Sequence, residues 1–154
     1  MDSEISSMPA ITHSVYIDAP VDRVFETLTT AKGWDAWFTE GTTLDARSGG
    51  FIQLRWVNFG SGKWTTEDGG PVVDVLPNER FAFLWSPAGH PTTVSFTLVT
   101  RGPGTVVSLR EDGYLLTDYD LEALVGCSVG WGEALSLLKF YLEHDVTYGP
   151  VPEE

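Results

Sequence analysis

The stretch that decides the fold is residues 121 to 144, which read LEALVGCSVGWGEALSLLKFYLEH. Large apolar side chains recur there at steps of three and four residues, which places them on one side of an α-helix. They are Leu124, Trp131, Leu135, Leu138 and Leu142. No proline interrupts the stretch, and about 24 residues give a rod of roughly 36 Å at 1.5 Å per residue. The sequence therefore predicts a long C-terminal helix that spans a small domain.

Three glycines lie inside this predicted helix, although each costs about 1 kcal/mol relative to alanine. Two of them, Gly126 and Gly130, are four residues apart and share a face. Their missing side chains allow either close packing against a strand, which is the simpler interpretation, or an open cavity wall beside Trp131. The two interpretations are compatible.

Before this helix, short runs alternate apolar and polar residues between turn residues, which is typical of strands. The pattern predicts strands at 11–17, 42–46, 51–59, 63–66, 72–76, 80–86, 92–100 and 105–114, with a turn at 67–70. Pro20 and Asp22 favour the start of a helix after the first strand. That helix should end near residues 30–33, and a helical turn at 34–38 follows it.

This order of elements predicts an α+β fold. An antiparallel sheet with one apolar face must bury that face, and the long final helix is the only element large enough to cover it. We expect a curved sheet wrapped around the C-terminal helix, with two short helices after the first strand. A single domain at 10–145 would follow a flexible leader at 1–9 and precede a tail at 146–154.

The chain is strongly acidic, with 9 basic and 22 acidic residues and a formal charge of −13. This charge would repel phosphate backbones, so nucleic acid is not an expected partner. The single cysteine, Cys127, cannot form an intrachain disulfide, which fits a cytoplasmic location. The N-terminus lacks the pattern of a secretory signal, and no run of 18 apolar residues predicts a membrane span.

Several short motifs occur together in an order that resembles a known family. They are Ile17-Asp18-Ala19-Pro20, Val24-Phe25, Leu28-Thr29, Trp37-Phe38, Gly49-Gly50, the run VLPNERF at 75–81 followed by Trp85, and Gly130-Trp131 with Leu135, Leu138 and Leu142. From about residue 11 to 144 the chain resembles the family named after the activator of the heat-shock-protein-ninety ATPase, within the START-like, SRPBCC, helix-grip superfamily. The resemblance implies seven antiparallel strands gripping the C-terminal helix. It also implies a cavity between them that often takes an apolar ligand. It carries over no catalytic residue.

The inward positions of strands and helix supply the candidate cavity wall. The candidates are Trp56, Phe81, Phe83, Trp85, Phe96, Leu109, Glu111, Trp131, Leu135 and Leu138. The apolar members could equally fill the core, where burying one such side chain is worth roughly 1.5–3 kcal/mol.

Four polar residues could reach the mouth of this cavity. Glu111 continues the inward phase of the last strand, where desolvation could make it an acid or base, but a carboxylate near a strand end is more simply a surface group. Tyr114 lies close to it in sequence. The phase of Arg55 points to solvent, and His90 lies in a loop between Gly89 and Pro91, where we expect it to be exposed.

Chemistry-bearing motifs are absent from the sequence. The three histidines are far apart, no pair has ligand spacing on a helix, and neither a Gly-x-Ser-x-Gly nor a phosphate-cradling loop occurs. No metal or cofactor is therefore expected. The sequence favours binding of an apolar or amphipathic small molecule. Two alternatives stay open: an enzyme of the polyketide cyclase or dehydratase kind, and a chaperone-type interaction module, with a chaperone or a second copy of the chain as partner.

Overall fold

The computed structural model describes residues 7–147. Its elements in chain order are β1 (Ile11–Ile17), α1 (Val21–Thr29), α2 (Ala31–Trp37), β2 (Thr43–Leu44), β3 (Phe51–Phe59), β4 (Trp64–Leu76), β5 (Arg80–Trp85), β6 (Thr92–Arg101), β7 (Gly104–Asp112) and α3 (Asp118–His144). The predicted α+β class, the long C-terminal helix and the two short helices after the first strand are confirmed.

The strands form one antiparallel sheet in the order β1-β7-β6-β5-β4-β3-β2. Neighbouring strands place their apolar residues opposite one another, with Phe96 between Phe81 and Leu109 in register. Residues directly opposite in a ladder share a face of the sheet. The alternation read from the sequence thus becomes one continuous apolar surface.

Helix α3 packs its apolar stripe against this surface. Trp131, Leu135, Leu138 and Leu142 are buried in the same core cluster as the inward strand residues. Thr117 caps the N-terminus of the helix: its side chain accepts a hydrogen bond from the Asp120 N–H, a standard way to satisfy a free amide at a helix N-terminus. It begins three residues earlier than predicted and ends at His144, as predicted.

Strand β1 holds α3 from one side through polar contacts. The His13 ring lies with Nε2 2.8 Å from the Ser128 carbonyl oxygen, and the Lys139 ammonium donates to the Tyr16 carbonyl at 2.5 Å. A Cβ on Gly132 would lie 3.3 Å from the His13 ring. Of the three helix glycines, Gly132 is therefore the one that permits close packing against a strand.

The turn predicted at residues 67–70 is wrong, because β4 runs without interruption from Trp64 to Leu76. Its two glycines lie within the ladder, where a Cβ on Gly69 would stand 2.0 Å from the Ile52 carbonyl oxygen and one on Gly70 2.4 Å from that of Leu84. Glycine inside a strand often marks such a close backbone approach. The predicted strands at 63–66 and 72–76 are two parts of one element.

The predicted domain limits stay predictions. The leader at 1–9 and the tail at 146–154 lie mostly outside the described residues, which begin at 7 and end at 147.

Candidate functional site

A cavity of about 590 Å³ opens between α3 and the strands β3, β4 and β5. Six aromatic rings line it, those of Phe38, Trp56, Phe59, Trp64, Trp85 and Trp131. This volume and this apolar lining are typical of sites that bury a small organic molecule.

Four of these rings form a continuous row, which we call the indole row: Trp64, Trp56, Trp85 and Trp131. Successive ring centroids are 5.5 Å, 6.4 Å and 5.3 Å apart. The row begins at Trp64, which is 53% exposed, and ends at Trp131, which is 2% exposed. It therefore leads from solvent into the interior of the fold.

Phe59 joins this cavity because β3 is irregular. Strict alternation would place Phe59 and Trp56 on opposite faces, but the register shifts between them and Asn58 adopts a φ of 50°. A bulge of this kind turns the following side chain to the other face. The sequence carried no clear signal for this shift, so Phe59 was not among the predicted candidates.

Four of the six α3 residues that line the cavity are small, Ala123, Gly126, Cys127 and Gly130, and the other two are Trp131 and Glu133. A Cβ built on Gly126 or Gly130 meets no atom within 4 Å. Of the two interpretations left open for these glycines, close packing against a strand is therefore wrong, and the open cavity wall agrees with the structure. Their missing side chains leave open space instead.

Glu111 is buried, with 0% exposure, so the expectation that it is a surface carboxylate is wrong. One carboxylate oxygen accepts hydrogen bonds from Trp85 Nε1 at 2.8 Å, the Thr92 hydroxyl at 2.6 Å and the Tyr114 hydroxyl at 2.8 Å. The other oxygen accepts from Trp131 Nε1 at 2.9 Å. Glu111 does not itself line the cavity. It fixes two rings of the indole row from the side of their N–H groups.

Two further groups beside Glu111 are held in their neutral forms. Burial, a hydrogen bond with Cys127 and the charge of Glu111 raise the pKa of the Tyr114 hydroxyl well above its usual range. Burial also raises the pKa of the Cys127 thiol to about 11, against an opposing hydrogen bond with Tyr114. Since the thiolate is the nucleophile, Cys127 is not an activated cysteine at neutral pH.

Asp68 brings a carboxylate to the cavity from β4. It lies opposite Leu54 in the β3–β4 ladder, and Leu54 is buried, so Asp68 faces inward. Its oxygens accept hydrogen bonds from the Gly69 and Ser86 amides at 2.7 Å and 3.1 Å. Burial raises the pKa of Asp68, and these hydrogen bonds oppose the rise. Because residues 67–70 were wrongly predicted to form a turn, Asp68 was not among the predicted cavity residues.

The expectation that His90 is exposed is also wrong. Its Nε2 lies 2.6 Å from a carboxylate oxygen of Asp120 near the start of α3, and its side chain is only 28% exposed. The same oxygen accepts from the Leu115 amide at 2.6 Å. That hydrogen bond first, and the contact with His90 after it, lower the pKa of Asp120. This pair ties the β5–β6 loop to the helix and does not line the cavity.

The other predicted candidates divide between the cavity and the core. Trp56, Trp85 and Trp131 line the cavity. The remaining ones are buried and lie in the core away from it: Phe81, Phe83, Phe96, Leu109, Leu135 and Leu138. Arg55 is exposed, in agreement with its outward phase. Periodicity identified the inward face, but it could not tell which inward residues border empty space.

The solvent side of α3 is apolar as well. Leu121, Val125 and Val129, one turn apart, are 46%, 53% and 61% exposed, and we call them the outer stripe. Because both sides are apolar, α3 alone among the helices of the described residues is long and apolar enough to cross a membrane by length and composition. This is weak support for a span, because a helix in the core of a globular domain passes the same test.

Within residues 7–147, no group of three or more histidine, cysteine, aspartate or glutamate side chains could hold a metal ion.

A family model described as "Activator of Hsp90 ATPase homolog 1-like protein" matches residues 18–143 of this chain. No curated protein has significant similarity to it. The structure is similar to that of the Aha1 dimer from Colwellia psychrerythraea, at 25% identity and a TM-score of 0.72, over 89% of this chain and 98% of the other.

Two further solved structures are similar. Protein SSP2350 from Staphylococcus saprophyticus is 26% identical with a TM-score of 0.71, over 93% of this chain and 98% of its own. CalU16 from Micromonospora echinospora is 26% identical with a TM-score of 0.68, over 88% of this chain and 77% of its own.

Proposed function

Because this chain belongs to the activator of Hsp90 ATPase homolog 1-like family, we propose that it binds an apolar or amphipathic small molecule, lipid-like or aromatic, in the cavity between α3 and the sheet. The fold of this family commonly serves ligand binding or polyketide cyclase-like activity. A cytoplasmic location belongs to the same proposal.

The observation that carries the proposal is the open space beside Gly126 and Gly130, opposite the indole row. A Cβ at either glycine would meet no atom within 4 Å, although alanine would favour the helix by about 1 kcal/mol at each position. The chain thus gives up helix stability where the side chain would enter the cavity. This supports a cavity kept open for an occupant.

Binding is favoured over catalysis by the positions and hydrogen bonds of the titratable groups. The one inward carboxylate that lines the cavity, Asp68, already accepts hydrogen bonds from the Gly69 and Ser86 amides. Glu111 already accepts four hydrogen bonds and does not line the cavity, while an acid or base must come within hydrogen-bond reach of its substrate. Cys127 lines the cavity with a pKa of about 11, so it is protonated at neutral pH. The polyketide cyclase or dehydratase alternative therefore ranks second.

The test is a thermal-shift and calorimetric screen with a library of fatty acids, sterols, amphiphiles and polycyclic aromatics. A ligand at 100 times its Kd stabilises the folded state by about 2.7 kcal/mol, which is readily detected. Binding should be lost in Gly130→Leu, whose side chain would enter the cavity, and retained in Val129→Leu on the solvent side of the same turn. If no library member shifts the unfolding temperature, or if Gly130→Leu binds as well as the wild type, the proposal fails.

A second candidate function, self-association, is favoured by the outer stripe. Leu121, Val125 and Val129 form a contiguous apolar surface on α3, and such surfaces often mark interfaces. The similar Aha1 of Colwellia psychrerythraea is described as a dimer. We take a second copy of this chain as the occupant.

Sedimentation velocity between roughly 1 µM and 500 µM, a range that covers Kd values in the micromolar class, tests this proposal. The wild type should dimerise, whereas Val125→Glu and Val129→Glu, which replace exposed side chains, should remain folded monomers. A wild-type monomer across the whole range would rule out self-association, and capture of a chaperone by the stripe would assign the surface to a different partner.

A further inference from the structure

The charged residues at the cavity are all acidic. Among the sixteen lining residues there is no lysine, arginine or histidine, whereas Asp68 and Glu133 bring carboxylates from β4 and α3. Glu67 also borders the cavity, but it pairs in register with the exposed Arg55 and so projects from the other face of the sheet. The formal charge of the whole chain, these residues included, is −13. An anionic ligand would meet repulsion here with no cation to offset it.

Two of the four indole N–H groups of the row already donate to Glu111, whereas that of Trp56 is buried without a hydrogen-bond partner. Trp85 and Trp131 both direct their N–H groups to the buried Glu111, at 2.8 Å and 2.9 Å. These two donors are therefore not available to a ligand. The faces of indole rings attract organic cations, more strongly than those of tyrosine or phenylalanine, and the attraction grows when water is excluded.

We propose that the ligand of this cavity is an amphipathic organic cation, an ammonium group joined to a flat or chain-like apolar body. The ammonium group lies against the indole row within reach of the Asp68 carboxylate, and the apolar body lies along Gly126 and Gly130. This inference rests on the proposed function and narrows it: anionic lipids and acyl carboxylates are poor ligands, and neutral sterols bind without the cationic contribution.

The test uses three probes that share one apolar body. They are 2-(naphthalen-2-yl)ethyltrimethylammonium, its carbon isostere with a tert-butyl group in place of trimethylammonium, and the corresponding ethanesulfonate. Isothermal titration at pH 7.5 gives each Kd. We expect the cation to bind at least about tenfold more tightly than the isostere, a difference within the range of a partly desolvated cation–aromatic contact. The sulfonate should bind most weakly.

Two variants test which residues contact the ammonium group of the ligand. Asp68→Asn should weaken the cation severalfold and leave the isostere unchanged, and Trp64→Leu, at an exposed ring of the row, should weaken the cation more than the isostere. Asp112→Asn is the matched control, since it removes the same charge from an exposed position outside the cavity. Circular dichroism confirms that each variant is folded, and the wild-type probe series does not depend on any variant.

The outcomes separate the two proposals. If the isostere or the sulfonate binds as tightly as the cation, or if Asp112→Asn weakens the cation as much as Asp68→Asn, the cationic inference is overturned while small-molecule binding stands. If the cation fails to bind but neutral members of the wider library do, the same conclusion follows. If neither the probes nor the library bind, both proposals fall together.

Discussion

Replacing Gly126 or Gly130 by alanine should stabilise the protein. Alanine exceeds glycine in helix propensity by about 1 kcal/mol, and the added Cβ meets no atom within 4 Å at either position. No steric penalty therefore offsets the gain. For a domain of this size, about 1 kcal/mol corresponds to roughly 2–4 °C in Tm, and the double variant should gain close to the sum.

Two other glycines provide controls of known geometry. In Gly33→Ala the new Cβ would lie 2.2 Å from the Thr27 carbonyl oxygen. Because this is a backbone atom, the main chain would have to shift to relieve the clash, so this variant should be destabilised. In Gly132→Ala the Cβ would lie 3.3 Å from the His13 ring, a tight contact that offsets part of the propensity gain. The expected order of stability is therefore Gly126→Ala and Gly130→Ala above Gly132→Ala, with Gly33→Ala last.

Urea unfolding followed by far-ultraviolet circular dichroism measures all four free energies. A loss of stability in Gly126→Ala or Gly130→Ala would mean that the helix packs tightly where the structure shows space, and the argument for an open cavity wall would be refuted. An unchanged m-value is needed for the comparison, because it shows that the exposed surface on unfolding has not changed.

Three further predictions follow from the buried polar groups. Glu111→Gln should lower the free energy of unfolding by about 3 kcal/mol, because an amide cannot accept from all the donors that converge on a buried carboxylate; the exposed Glu122→Gln should change it by less than about 0.5 kcal/mol. The pKa of Asp120 is lower in the folded state than its unfolded value of 3.8. Its carboxylate therefore stabilises the fold above pH 3.8, and this stabilisation is lost as the pH falls from 3.8 through the folded-state pKa. Between about pH 5 and 3, the free energy of unfolding measured in urea should fall more steeply in the wild type than in Asp120→Asn. Cys127, with a pKa of about 11, should react with iodoacetamide at pH 8 about 100-fold more slowly than an unperturbed thiol, and a rate equal to that of a free thiol would contradict its burial.

The regular elements were largely predictable from the sequence because their signals are local. The alternation at 51–59 matches β3, and the apolar spacing at 121–144 matches all of α3 except its first turn. The misread turn at 67–70 shows the limit of such signals. Glycine marks either a turn or a close backbone approach, and only the pairing of β4 with β3 and β5 decides between them.

The site was less predictable because it depends on contacts between distant residues. Glu111 had the inward phase, yet its burial requires donors from β5, β6 and α3, including Trp85, Thr92 and Trp131. Burying a carboxylate without such partners would cost several kcal/mol. Because the sequence does not show that these donors converge, it favours a surface position for Glu111. Phe59 entered the cavity through a bulge, which breaks the period on which the prediction of facing rests.

By itself, the sequence determined the class of the fold, the helix at its centre and the family, since these depend on periodicity and ordered motifs along one chain. Only the tertiary structure decided where the space lies, that the indole row faces it, and that Gly126 and Gly130 border it. Empty volume belongs to no single residue. It is what remains when a helix and a sheet have packed, and it depends on every element that surrounds it.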